Sequence, residues 1–220
     1  MIMRAIVFII ITTLASSSAR ASVLFENPWT SATLGPQWCS PCSTSTADWR
    51  VYDSFSLSSD STIQSVTWVD QNTAPPGSTL IEIFDSTRTT SLFSQVFTAG
   101  EITTQGTIFS NYYIENQPVR TISLPNIALN SGDYWISIFG QNQYVAFTGV
   151  LSGGDNSLVQ IYLSSNSTYY RQDDGAFRLE GVVGSVAAPL PAALPLFATG
   201  LGALGLIGWR RKKKAAALPA

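Results

Sequence analysis

The sequence predicts an all-β protein, an antiparallel β-sandwich of jelly-roll-like form, and three observations carry that reading. Short runs of β-branched and aromatic residues recur at close intervals between residues 51 and 183. Clusters of Gly, Pro, Asn, Asp and Ser separate them. Sustained apolar patterns of helical period are missing from the same region. Many short strands divided by turn signals suit two stacked antiparallel sheets.

Taken in order, the chain opens with a segment that is expected to be removed. Residues 1–4 give a positive start, 5–14 (AIVFIIITTL) an apolar stretch too short to anchor, and 15–21 a small-residue region ending Ala19-Arg20-Ala21. That is the layout of a secretory signal peptide with an Ala-x-Ala cleavage site. Cleavage is expected after Ala21, leaving Ser22 as the first residue of the mature chain. Residues 22–184 then form the predicted sandwich, long enough to bury one substantial core. Its expected strands are 51–57 (VYDSFSL), 63–69 (IQSVTWV), 80–84, 92–97, 107–109, 119–124, 134–139 (YWISIF), 144–148, 158–163 and 176–183. In the first, Val51, Asp53, Phe55 and Leu57 share a face, so Asp53 sits among apolar residues and requires a partner or an edge position. In the second the apolar phase switches between Ile63 and Val66, which predicts a bulge.

The end of the chain reads as an address. A stalk and proline motif occupy 185–191, an uncharged apolar run 192–209, and a basic tail 210–220. Residues 187–209 number 23, against roughly 20 needed to cross a hydrocarbon core. Trp209 stands at the expected aromatic belt. The cations Arg210, Arg211, Lys212, Lys213 and Lys214 should remain cytoplasmic, which places the body outside. Pro189, Leu190, Pro191 and Ala192, followed by a Gly-rich apolar helix, Trp209 and the basic cluster, resemble a PEP-CTERM sorting signal in its Pro-Leu-Pro-Ala variant. The resemblance implies a Gram-negative bacterium and processing by exosortase, a membrane-embedded cysteine transpeptidase-like enzyme, at the proline motif. It also implies an association with exopolysaccharide and biofilm. On that reading the partners are an exosortase-like protease, the membrane and extracellular polysaccharide. The protein ends at the cell surface or outside the cell.

Composition excludes several chemistries. All 14 acidic residues lie in the body, which holds five arginines, no lysine and no histidine, for a formal charge of −9. A body so acidic has no basic patch for a phosphate backbone, so nucleic acid is not an expected partner. Without His or Lys it cannot build a Ser-His-Asp triad, a Ser-Lys dyad, a Schiff-base site or a P-loop. Carboxylate chemistry survives: Glu82, Asp85, Asp133, Asp155, Asp173, Asp174 and Glu180 supply acids for a glycosidase, though in no recognisable motif.

Cys39 and Cys42, the two cysteines, are expected to close a small disulfide ring in an exported chain. A zinc site lacks further Cys or His ligands, and no cofactor is expected. Residues 153–156 (GGDN) and 173–175 (DDG) are loops of hard oxygen ligands that suit Ca²⁺, and equally are ordinary turn formers. Trp29, Trp38, Trp49, Trp68, Trp135, Tyr169 and Tyr170 offer sugar-stacking surface or simple packing. The expected function is that of an exported surface or matrix protein without enzymatic activity. A calcium-assisted carbohydrate-binding module is the first alternative and a carboxylate glycosidase the second.

Overall fold

The computed structural model describes residues 21–41, 49–71, 74, 77–141, 146–151 and 154–184. Among them the chain forms fourteen strands and one 3₁₀ turn at Ala99–Glu101, with no α-helix. The strands are β1 (Ser22–Glu26), β2 (Leu34–Cys39), β3 (Trp49–Leu57), β4 (Ser61–Val69), β5 (Ser78–Phe84), β6 (Ser91–Phe97), β7 (Ile102–Ser110), β8 (Glu115–Leu129), β9 (Gly132–Gln141), β10 (Ala146–Val150), β11 (Val159–Tyr162), β12 (Ser167–Tyr170), β13 (Asp174–Gly175) and β14 (Phe177–Val183). All pairings are antiparallel. They make a five-stranded sheet, β1-β14-β4-β8-β7, a three-stranded sheet, β13-β10-β2, and a six-stranded sheet, β12-β11-β3-β9-β5-β6.

Alternation along the strands sets the core. Val51, Phe55, Leu57, Ile81, Ile83, Ile136 and Ile138 of the six-stranded sheet join Ile63, Val66, Trp68, Ile122 and Leu179 of the five-stranded sheet in one buried cluster. A smaller cluster of Leu34, Val69, Val150 and Ala176 seats the three-stranded sheet. The expected phase switch in β4 is a real irregularity: its register against β8 slips between Ile63 and Ser65, and that of β14 against β4 between Glu180 and Gly181. Gly181 is required there, because a Cβ would collide with the Thr62 carbonyl. Beside the core, Arg120 lies 2.9 Å through Nε from Asp70, and both side chains are almost wholly buried. Arg120 also donates to the Thr104 hydroxyl and the Ala74 carbonyl, so the ion pair ties β8 to β7 and to the segment after β4.

Four strands fall outside the sequence expectation. β1 begins at the predicted mature terminus, where Ser22 pairs Gly181 and its Oγ donates to the Gly181 carbonyl. Cys39, outside every expected strand, is the last residue of β2. β12 turns back on β11, and Asp174–Gly175, read as a turn, pairs with Val150 and Gly149 as β13. No helix among the described residues is long and apolar enough to cross a membrane, and the predicted span at 192–209 lies outside the described residues.

Candidate functional site

Three carboxylates from distant parts of the chain meet where the sheets join. Asp53 comes from the middle of β3, Asp155 from the connection between β10 and β11, and Asp174 from β13. An oxygen of each lies within 4.8 Å of the others. Asp53 and Asp174 are buried, at 1% and 0% exposure, while Asp155 faces solvent. None of the ion pairs among the described residues involves any of the three. A buried carboxylate needs compensation, so the donors around it matter.

Asp53 is held from all sides. Its Oδ2 accepts the Gly175 N–H at 2.6 Å and Asn27 Nδ2 at 3.0 Å. Its Oδ1 accepts the Ser54 N–H and, at 3.2 Å, the Ser157 hydroxyl. Asp174 accepts the backbone N–H groups of Asn156 and Ser157, both at 3.1 Å. Asp155 accepts the Ser54 hydroxyl at 2.6 Å and the Ser157 N–H at 3.1 Å. Ser54 and Ser157 therefore stitch the trio together, with their own hydroxyls 2.7 Å apart. Gly154 belongs to the same packing: a Cβ there would collide with the Asp174 carboxylate.

The electrostatics divide the three. Burial pushes the Asp53 carboxyl well above its ordinary range; the Gly175 N–H opposes this, and the neighbouring charges of Asp174 and Asp155 add to it. Asp174 is raised as well, first by burial and further by Asp155, against the pull of the Asn156 and Ser157 N–H groups. At Asp155 partial desolvation is outweighed by hydrogen bonds from Ser157 and Ser54, and its carboxyl is lowered. A raised folded-state carboxyl stabilises the fold fully below the unfolded pKa, about 3.9 for Asp, and loses that contribution as pH rises through the folded value. In protein stripped of divalent ions, thermal midpoints should therefore fall as pH rises from about 4, with Asp155 opposing in part. A midpoint independent of pH over that range in both Asp53 and its Asp53→Asn variant would contradict the assignment.

The remaining carboxylates of the sequence reading are dispersed. Glu82 pairs with Arg50 at 2.7 Å, Glu180 with Arg178 at 3.1 Å, and Asp133 accepts the Ser56 hydroxyl. Asp85 closes the β5–β6 hairpin; against slight desolvation, groups on Thr89, Thr87 and Thr90 bring its carboxyl down to about 2. Asp173 stays outside the trio, its carboxyl raised by burial against the pull of Trp38 and Arg171. Of the two predicted calcium loops, the structure thus brings together Asp155 and Asp174, and adds Asp53.

The aromatics scatter also. Trp68 is core; Trp29 and Trp38 pack against the two clusters; Trp135 donates to the Ser86 carbonyl beneath Arg88. Trp49 meets Tyr162 and Tyr169 at 4.8 and 5.3 Å between ring centres, and Tyr170 is exposed. No cysteine among the described residues is free. Cys42 lies outside them, as do Ala19, Pro189, Leu190, Pro191, Ala192, Trp209, Arg210, Arg211, Lys212, Lys213 and Lys214. No protein-family model matches this sequence, and no curated protein matches it.

Proposed function

We propose that this chain is an exported, non-catalytic surface or matrix protein whose body is a jelly-roll-like β-sandwich fastened by a bound calcium ion. The observation that carries the calcium reading is the convergence of Asp53, Asp155 and Asp174 within 4.8 Å without a cationic partner. Three carboxylates so close repel one another, and two of them, Asp53 and Asp174, are buried. Hard oxygen ligands of that charge suit Ca²⁺, which would replace the proton that burial otherwise favours. The ion would join β3, β13 and the β10–β11 connection, whose contacts span more than a hundred residues of chain. Those buried carboxylates, already receiving N–H and O–H donors, suit retention of a cation better than attack on a glycosidic carbon.

Export rests on the two ends of the sequence. The signal peptide, the Pro-Leu-Pro-Ala motif, the apolar run and the five cations support secretion, an exosortase-like processing enzyme as partner, and a destination at the surface or in extracellular polysaccharide. A Cys39–Cys42 disulfide belongs to the same reading. Ser22, the expected first residue after processing, pairs with Gly181, three residues before the expected end of the body at 184, so both processed ends would leave from one corner of the body. Intact mass of the protein from its own host should give a chain that begins at Ser22 and ends within Pro189–Ala192. A mass that retains Trp209 to Ala220 in all of the protein would overturn the sorting.

A further inference from the structure

Val51 of β3 is core, and it pairs with Gln160 of β11, which pairs in turn with Tyr169 of β12. One pair further along, Trp49 stands opposite Tyr162. Directly paired residues share a face, so Trp49, Tyr162 and Tyr169 carry the inner face of the six-stranded sheet past its core. The Trp49 ring centre lies 4.8 Å from that of Tyr162 and 5.3 Å from that of Tyr169. Trp49 and Tyr162 are half-buried, and Tyr169 is 43% exposed. Rings alone would be ordinary strand packing. What sets these apart is Arg171, whose guanidinium lies 4.3 Å from the Trp38 ring centre and 5.4 Å from that of Tyr169. Its Nη2 donates to Gln160 Oε1 at 2.7 Å, and Gln160 Nε2 donates to the Cys39 carbonyl at 3.2 Å, which fixes the head of the side chain. Its Nε is buried and has no acceptor. Among the described residues Arg171 makes no ion pair, either with Asp173 two positions on or with any other carboxylate. In a body of charge −9, such a cation calls for an explanation.

We propose that Trp49, Tyr162, Tyr169 and Arg171 bind an acidic polysaccharide, one built of uronate sugars. The C–H face of a pyranose ring is flat and apolar and stacks on an aromatic ring, while its hydroxyls meet the phenol oxygens of Tyr162 and Tyr169. The sugar carboxylate supplies the acceptor that Arg171 Nε lacks, in a charge-assisted hydrogen bond. Charge selects this occupant. A neutral glycan would use the rings and leave the guanidinium unpaired; an acidic peptide would use the guanidinium and leave the rings without a flat partner. Because Gln160 and Trp38 already hold Arg171, little of its freedom is lost on binding. That the polysaccharide is extracellular rests on the export reading proposed above, whereas the arrangement of rings and guanidinium does not.

Calorimetric titration of the full-length protein with a galacturonate oligosaccharide, at a fixed free Ca²⁺ concentration, tests the site. A glucose oligosaccharide and a glutamate peptide of matched length serve as the neutral and the acidic comparison. The galacturonate should bind once per chain, and the other two about tenfold or more weakly, since each lacks either the charge or the stacking face. Arg171→Gln should weaken galacturonate binding by about tenfold or more. Tyr169→Ala, at an exposed position, should weaken it by about threefold to tenfold. Tyr112→Ala, on the β7–β8 turn and 55% exposed, should leave it unchanged. No binding of galacturonate, equal binding of glucose or glutamate, or an affinity that neither Arg171→Gln nor Tyr169→Ala lowers would each overturn the site. Any of these would leave the export reading standing, because the intact mass of the chain from its own host decides that separately.

Discussion

Replacing Arg120 with alanine is expected to destabilise the protein by about 3–5 kcal/mol, the usual consequence of removing one partner of a buried ion pair. Asp70 would remain, 3% exposed, having lost the guanidinium 2.9 Å away. The Thr104 hydroxyl and the Ala74 carbonyl would lose donors as well. The double variant Arg120→Leu with Asp70→Leu should recover most of the loss, because it removes both charges and keeps the volume. Chemical denaturation of the three proteins checks this; a single variant within 1 kcal/mol of the parent would show that the pair is solvated, as surface pairs are, at about 1 kcal/mol or less.

Calcium should raise the stability of the protein, and Asp155 and Asp53 should be needed for it. At a free ion concentration about a hundred times the dissociation constant, an ion that binds only the folded state adds about 2.7 kcal/mol. Asp155→Asn is the cleaner variant, since Asp155 is exposed and its amide oxygen still accepts the Ser157 N–H. It should remove the calcium-dependent rise in midpoint with little change in the metal-free protein. Asp53→Asn removes the rise too, and also presents an amide donor to the donors of Gly175 or Ser157, so its metal-free stability falls by roughly 1–3 kcal/mol for each group left unsatisfied. A full calcium response in Asp155→Asn would exclude the trio.

Much of the strand pattern was legible because the physics behind it is local. In β5 burial alternates residue by residue, and in β3 Val51, Asp53, Phe55 and Leu57 are buried as alternation requires, joined by Tyr52; in β4 and β9 consecutive residues are buried, so β-branched and aromatic content, not alternation, marked those strands. β2 (LGPQWC) and β13 (Asp174–Gly175) escaped notice because Gly, Pro and Asp are poor strand formers, and pairing with β10 supplies what propensity does not. The trio was half visible. Asp53 stood out as a charge on an apolar face, and Asp155 and Asp174 as oxygen-rich loops. Their meeting depends on contacts between β3 and chain more than a hundred residues away, which no local pattern encodes. Ser54 and Ser157 gave no signal at all, since a serine that bridges carboxylates looks like any other serine in a hydroxyl-rich chain.

The most direct measurement is calorimetric titration of Ca²⁺ into the protein after removal of divalent ions, alongside Asp155→Asn. One saturable site per chain in the parent, lost in the variant, is the result expected of a calcium-fastened surface protein. Absence of stoichiometric binding in the parent, or equal binding in both proteins, would contradict it, and the trio would then be a proton-sharing cluster that fastens β3 to β13 by hydrogen bonds alone.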